Sequence, residues 1–258
     1  LSYFIPIIIT FILLFYFVEK KVFSFLDNKI KPKLLTKELL KFSFPLLFAG
    51  LFTLVIKWSD VLIIGYFRNV SEVGIYNVAL ATSNLLTLVP TAIMVLFLPL
   101  ITNLYSKNKN EDISKITIRT SKWIFFLNLP IFLMLLIFPD LILQAMFGQE
   151  YIIGSVSLTI LVIGYLIHSL SHVNSNILIM LKKTKTIFTL SIFTSLTSII
   201  LNLILIPKYG IIGGAIGTST ALILNFLIYT IISYKLTKIF IIKLNYFKFI
   251  FAGLLASL

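Results

Sequence analysis

IFTLSIFTSLTSIILNLILIP (187–207), KYG (208–210) and IIGGAIGTSTALILNFLIYTIISY (211–234) follow one another without a gap. The first and third stretches carry no charged residue. Each is about as long as the ~20 mostly apolar residues that carry an α-helix across a ~30 Å hydrocarbon core. Pro207 fits just past a helix end, and Pro207–Gly210 makes a tight external connection. Two membrane-spanning helices joined by a short turn are the reading of this stretch. Gly213, Gly214, Ala215 and Gly217, small residues at the start of the second helix, are expected to allow close helix packing.

The same pattern extends in both directions. Seven full spans and a partial one are expected at about 1–18, 43–66, 74–104, 120–138, 153–181, 186–207, 211–234 and 246–258. The third and fifth are long, which tilt accommodates, and Pro90 is expected to kink the third. The fold class is therefore all-α, a polytopic helical membrane protein. Composition agrees: 59% of the residues are hydrophobic and 12% charged, against about a quarter charged in soluble domains. The chain has no cysteine and two histidines, which excludes disulfides and thiolate metal sites. Neither a Walker-type loop nor a nucleotide fingerprint occurs. Leu1 and Leu258 both lie inside apolar runs, and the chain reads as an internal fragment of a longer protein.

The formal charge of +13 would suggest nucleic acid in a soluble protein. Here its placement gives a different meaning. The 19–42 loop carries Lys20, Lys21, Lys29, Lys31, Lys33, Lys37 and Lys41. The next basic loop carries Lys107, Lys109, Lys115, Arg119 and Lys122. Lys182, Lys183 and Lys185 mark the following turn, and Lys235, Lys238, Lys243 and Lys248 the last loop. These are 19 of the 22 basic residues, and they occupy alternate loops. The other loops hold Arg68 and Lys208 with Glu72, Asp140 and Glu150. Positive loops stay inside, so the basic set is cytoplasmic and no nucleic-acid partner is expected. In 19–42 apolar residues alternate with lysines, which suits a segment lying on the anionic lipids of the inner leaflet.

Charges within spans are expensive and mark function. Lys57 and Asp60 lie in the second span, one turn apart on one face. Either they neutralise each other and fix packing, or they line a polar cavity where Lys57 attracts an anionic group and Asp60 tunes it or carries a proton. His168 and His172 share a face of the fifth span among Ser169, Ser171, Asn174, Ser175 and Asn176. Imidazole relays protons near neutral pH; interhelical hydrogen bonding is the other reading of this stretch. Asn77, Thr82, Ser83, Asn84 and Thr87 mark the third span, Asn202 and Asn225 the sixth and seventh. The candidate substrate-binding set is Lys57, Asp60, Asn84 and His172. The candidate ion- or proton-coupling set is Asp60, His168 and His172. No catalytic constellation emerges, which counts against an enzyme.

Two further stretches, SDVLIIGYFRNVSEVGIYNVALA (59–81) and LNLILIPKYGIIGGAIGT (201–218), resemble signature segments of the polysaccharide-exporting flippases of the MOP superfamily. Asp60, Gly65, Gly74, Tyr76, Asn202, Pro207, Gly210 and Gly213 fall where that pattern puts them. The resemblance implies a MOP/MATE-like helix bundle of 12–14 helices, of which this chain is a portion. Residues 1–18 would be the last helix of the N-terminal lobe and 19–42 the cytoplasmic interlobe linker. Residues 43–237 would be the C-terminal six-helix lobe, and 238–258 the start of a further helix. It implies transport of lipid-linked oligosaccharide across the cytoplasmic membrane by alternating access of two lobes. Lys57 and Asp60 would face the cavity, where a cation suits the cargo's pyrophosphate. No cofactor is implied; coupling to a proton or to a sodium gradient stands open. The alternative is a cation-coupled multidrug antiporter of the related MATE type, and after it a membrane enzyme of glycan assembly.

Overall fold

The computed structural model describes residues 9–11, 13–14, 16–17 and 33–239, with the side chains of 33–36, 38, 56 and 57 left undescribed. The expected span at 246–258 and most of the 19–42 linker lie outside these residues. The chain divides into two units, Leu1–Lys41 and Phe42–Leu258. In the first, the described residues between 9 and 17 are helical and exposed.

The elements run α1 (Lys33–Phe67), α2 (Val70–Ser83), a 3-10 turn (Asn84–Thr87), α3 (Leu88–Ser106), α4 (Asn110–Ile137), α5 (Pro139–Phe147), a 3-10 segment (Gln149–Gly154), α6 (Ser155–Ser169), α7 (Ser171–Met180) and α8 (Thr184–Thr237). Among the described residues there is no strand. The helix α1 opens inside the expected linker, and the expected 138–152 outer loop is folded as α5 and the 3-10 segment. Five helical stretches are long and apolar enough to cross a membrane. The last of them, α8, has 54 residues, roughly 80 Å at ~1.5 Å per residue, more than twice the hydrocarbon thickness.

Helix α8 is in fact two legs. Gly210 (φ 58°, ψ −136°) leaves helical geometry in a conformation that L side chains resist and glycine accepts. The legs then run back along each other. A Cβ on Gly213 would strike the Leu205 carbonyl, and one on Gly217 would strike the Asn202 amide. Further from the turn, Asn225 Nδ2 donates to Thr194 Oγ1 at 2.6 Å. The described residues thus make six crossings, at the six positions that the charge pattern sets between 43 and 234.

The core of the second unit forms where these crossings meet. On α4, Ile113, Thr117, Ser121, Ile124, Asn128, Phe132 and Leu135 are buried, a spacing of three to four residues that marks one helix face. Trp123, Phe126, Leu127 and Met134 on the same helix are exposed, as apolar side chains facing lipid should be. Gly164 on α6 lets the second leg of α8 approach closely: a Cβ there would sit 2.7 Å from the Ser219 Cβ and 2.8 Å from its Cα. Ser219 Oγ donates to the Ile160 carbonyl at 2.9 Å across this contact. Small residues drive helix association in lipid because backbones can then meet and bond.

Candidate functional site

Two of the crossings are broken in mid-span. The first runs Val70–Ser106 and is interrupted by the 3-10 turn Asn84–Thr87. Pro90 accounts for the break. It lacks an N–H, and its ring clashes with the carbonyl four residues back, which is that of Leu86. That carbonyl is not left bare, because Asn128 Nδ2 of α4 donates to it at 3.0 Å. Hydroxyls serve the neighbouring carbonyls: Ser83 Oγ donates to Leu80 O at 2.8 Å and Thr87 Oγ1 to Asn84 O at 2.8 Å. Pro90 therefore interrupts the helix instead of merely bending it.

The second broken crossing, Gln149–Met180, is interrupted at Leu170, between α6 and α7. The repair is the same. Ser169 Oγ donates to Leu166 O at 2.6 Å and Ser171 Oγ to His168 O at 2.7 Å. In lipid a freed backbone carbonyl has no water to bond, so neighbouring side chains must supply the donor.

Both breaks face one cavity of about 450 Å³, within the range of small-molecule sites. Asn84, Thr87 and Thr91 line it from the first break, and Tyr165, His168, Ser171, His172 and Ser175 from the second. Helix α1 contributes Leu46, Ala49, Gly50 and Thr53. The legs of α8 contribute Ile187, Ser191, Thr194, Leu222, Asn225 and Tyr229. Thirteen of these 18 residues carry a hydroxyl, amide or imidazole, and none carries a carboxylate, ammonium or guanidinium. The two imidazole rings lie edge to face, 5.5 Å between centroids. His168 Nδ1 and His172 Nε2 are buried and have no hydrogen-bond partner among the described residues.

Asn84, His168 and His172 thus come together, as their polarity within apolar spans suggests. Asp60 is placed elsewhere. It is fully buried and does not line the cavity. Its Oδ2 accepts from the Tyr76 hydroxyl at 2.6 Å and the Thr218 hydroxyl at 3.2 Å, and its Oδ1 from the Val61 N–H at 3.0 Å. Lys57 lies one turn earlier on α1, and its side chain is outside the described residues. Sequence reasoning also missed Tyr165, Tyr229 and Thr91. Tyrosines resemble lipid-facing aromatics in composition; Tyr165 sits one turn before His168 on α6 and Tyr229 on the second leg of α8, and the cavity brings them together.

The Asp60 cluster belongs to a larger contact. Arg68 Nη2 donates to the carbonyls of Pro207 at 3.1 Å and Ile206 at 3.4 Å, at the end of the first α8 leg, where helical carbonyls lose their partners. A Cβ on Gly210 would meet Glu72 Oε2 at 3.1 Å, and one on Gly214 would meet Ile64 and Tyr76 at 3.3 Å. Asn69 Oδ1 caps α2 through the Glu72 N–H at 2.8 Å. The segments 59–81 and 201–218, some 140 residues apart in the chain, are one packed unit at the outer end of the bundle.

This architecture, broken helices around a polar cavity inside an all-α bundle, is that of a multi-pass membrane protein. The solved outward-facing structure of a multidrug resistance MATE family transporter of the MOP superfamily superposes with a TM-score of 0.62 at 17% identity, covering 80% of this chain and 47% of that one. Residues 6–156 match the family described as "Polysaccharide biosynthesis protein", and the chain belongs to that family. Among its relatives are two proteins of Haloferax volcanii. The probable low-salt glycan biosynthesis flippase Agl15 is 29% identical over 168 residues, which is 65% of this chain and 36% of the relative. The probable flippase AglR is 31% identical over 172 residues, again 65% and 36%. The chain spans little more than a third of the length of either flippase.

Proposed function

We propose that the protein to which this chain belongs moves lipid-linked oligosaccharide across the cytoplasmic membrane by alternating access, and that residues 42–239 supply one wall of the path. The observation that carries this reading is the uncharged, hydrogen-bonding cavity within the span region, set between discontinuous helices as transporter sites are. The flippase names of the relatives support it. A MATE-type cation antiporter would want an acid on this wall. The buried acid nearest to hand, Asp60, has its oxygens bonded to Tyr76, Thr218 and Val61 instead. Lys57, the one basic residue in neither set of loops, is the proposed partner of the cargo's phosphate. His168 and His172 are the proposed proton carriers if transport is coupled to protons.

The test is translocation of a fluorescent lipid-linked oligosaccharide by the full-length protein in proteoliposomes. Wild type moves it, Lys57→Ala reduces the rate by about tenfold or more, the scale of one charge-assisted bond, and Lys57→Arg retains most of it. Unchanged transport by Lys57→Ala would remove Lys57 from the site. A wild-type protein that moves a cationic drug and no glycan would replace the reading with the antiporter.

A further inference from the structure

The geometry points to the sugar rings of the cargo, and not its phosphate, as the occupant of this cavity. The inference rests on the flippase reading and adds to it which chemical part of the substrate this lobe recognises. It follows from where the hydroxyl protons go. A hydroxyl has one proton to donate and two lone pairs to accept with. Thr53, Thr87, Thr91, Ser171, Ser191 and Thr194 all line the cavity. Each donates its proton to a backbone carbonyl three or four residues back in the chain, at Ala49, Asn84, Thr87, His168, Ile187 and Leu190 respectively, over 2.7–3.0 Å. What these side chains have left for a ligand is acceptor capacity.

A phosphate or pyrophosphate is itself acceptor-only and charged. Among the described residues this wall offers it no cation, and six of its hydroxyls are already committed as donors; a desolvated anion without a charged partner is strongly disfavoured. A sugar ring is the opposite. It is neutral and carries several O–H donors, which match a wall of committed hydroxyl oxygens. The ring oxygens and remaining lone pairs can take a proton from an imidazole, since a neutral histidine offers one donor and one acceptor. The unpartnered His168 Nδ1 and His172 Nε2 are the ring nitrogens free for this. The volume of about 450 Å³ suits a mono- or disaccharide and leaves the phosphate and lipid outside this lobe's cavity.

The experiment measures binding of two probes to the full-length protein in nanodiscs: polyprenyl pyrophosphate bearing a neutral oligosaccharide, and the same lipid pyrophosphate without sugar. Thr53→Val, Thr87→Val and Thr91→Val, combined, remove three acceptors at nearly constant shape. The triple variant is expected to bind the glycosylated lipid about tenfold or more weakly, as a few neutral hydrogen bonds imply, while its affinity for the bare lipid pyrophosphate stays at the wild-type value. Thr→Ser at the same three positions restores the hydroxyls and is expected to restore glycan affinity. Equal weakening of both probes would place the phosphate here and overturn the inference, as would no weakening of either. A wild-type protein that binds neither probe would instead sink the flippase reading, a result distinguishable from the first two. If the valine variant fails to fold, Ser171→Ala with Ser191→Ala asks the same question from the opposite wall with the same outcomes.

Discussion

The outer contact between segments 59–81 and 201–218 and the cavity are both polar and both hold buried polar side chains, yet they are built in different ways. In the outer contact most polar groups find one another, with Arg68 Nε and Asn202 Oδ1 left unbonded among the described residues. Asp60 takes donors from Tyr76 and Thr218, Arg68 takes the carbonyls of a helix end, and the glycines bring backbones together. In the cavity the hydroxyls turn their protons back to carbonyls three or four residues earlier in the chain, and two imidazole nitrogens are left without a partner among the described residues. Polarity in a span therefore does not by itself mark a substrate site. What marks one is unused polarity that borders an open cavity, as at His168 and His172.

Three substitutions would break or sharpen that contrast. The largest effect is expected from Gly213→Leu. Its Cβ alone would strike the Leu205 carbonyl oxygen and lie 2.9 Å from the Ile206 N, and backbone there cannot yield as a side chain could. The hairpin cannot close, and monodisperse protein in detergent should be lost; full recovery of folded protein would contradict the close approach of the two legs. Next comes Tyr76→Phe, which strips Asp60 of its shortest hydrogen bond. The expected cost is about 1–3 kcal/mol, read as a shift of the thermal aggregation midpoint, and an unshifted midpoint would show that the bond adds no stability. The smallest effect on stability belongs to His172→Gln. With no hydrogen bond to lose at Nε2, it should stay within about 0.5 kcal/mol of wild type while transport falls. The reverse pattern, lost stability with intact transport, would move His172 from the cavity's work to its architecture.

Much of this was open to reading in the sequence, for a physical reason. Charge is so costly in lipid that loops must carry it, so the alternation of Lys107–Lys122, Lys182–Lys185 and Lys235–Lys238 with loops that hold few basic residues marks the crossings. Asn84, His168 and His172 stood out because each interrupts an apolar face. The helix breaks did not. Ser83, Thr87, Ser169 and Ser171 bond carbonyls three residues back, but the same residues occur as hydrogen-bonding glue between intact helices, and only the fold distinguishes the two uses. The role of Asn128 was legible only in retrospect. It serves a carbonyl freed by Pro90 on another helix, and a pairing at that distance leaves no local pattern. The Asp60 cluster was hidden for a similar reason, since its partners Tyr76 and Thr218 are far apart in the chain and neither looks ionic.

The hairpin of α8 has a further consequence for how the protein is made. Its tip is a few residues around Gly210, too short to let either leg take an orientation of its own. Its two feet both carry positive charge, Lys182, Lys183 and Lys185 at one and Lys235 and Lys238 at the other. Positive charge at each foot favours the same, cytoplasmic side of the membrane. The two legs of the hairpin therefore carry concordant topology signals, one at either end of the pair.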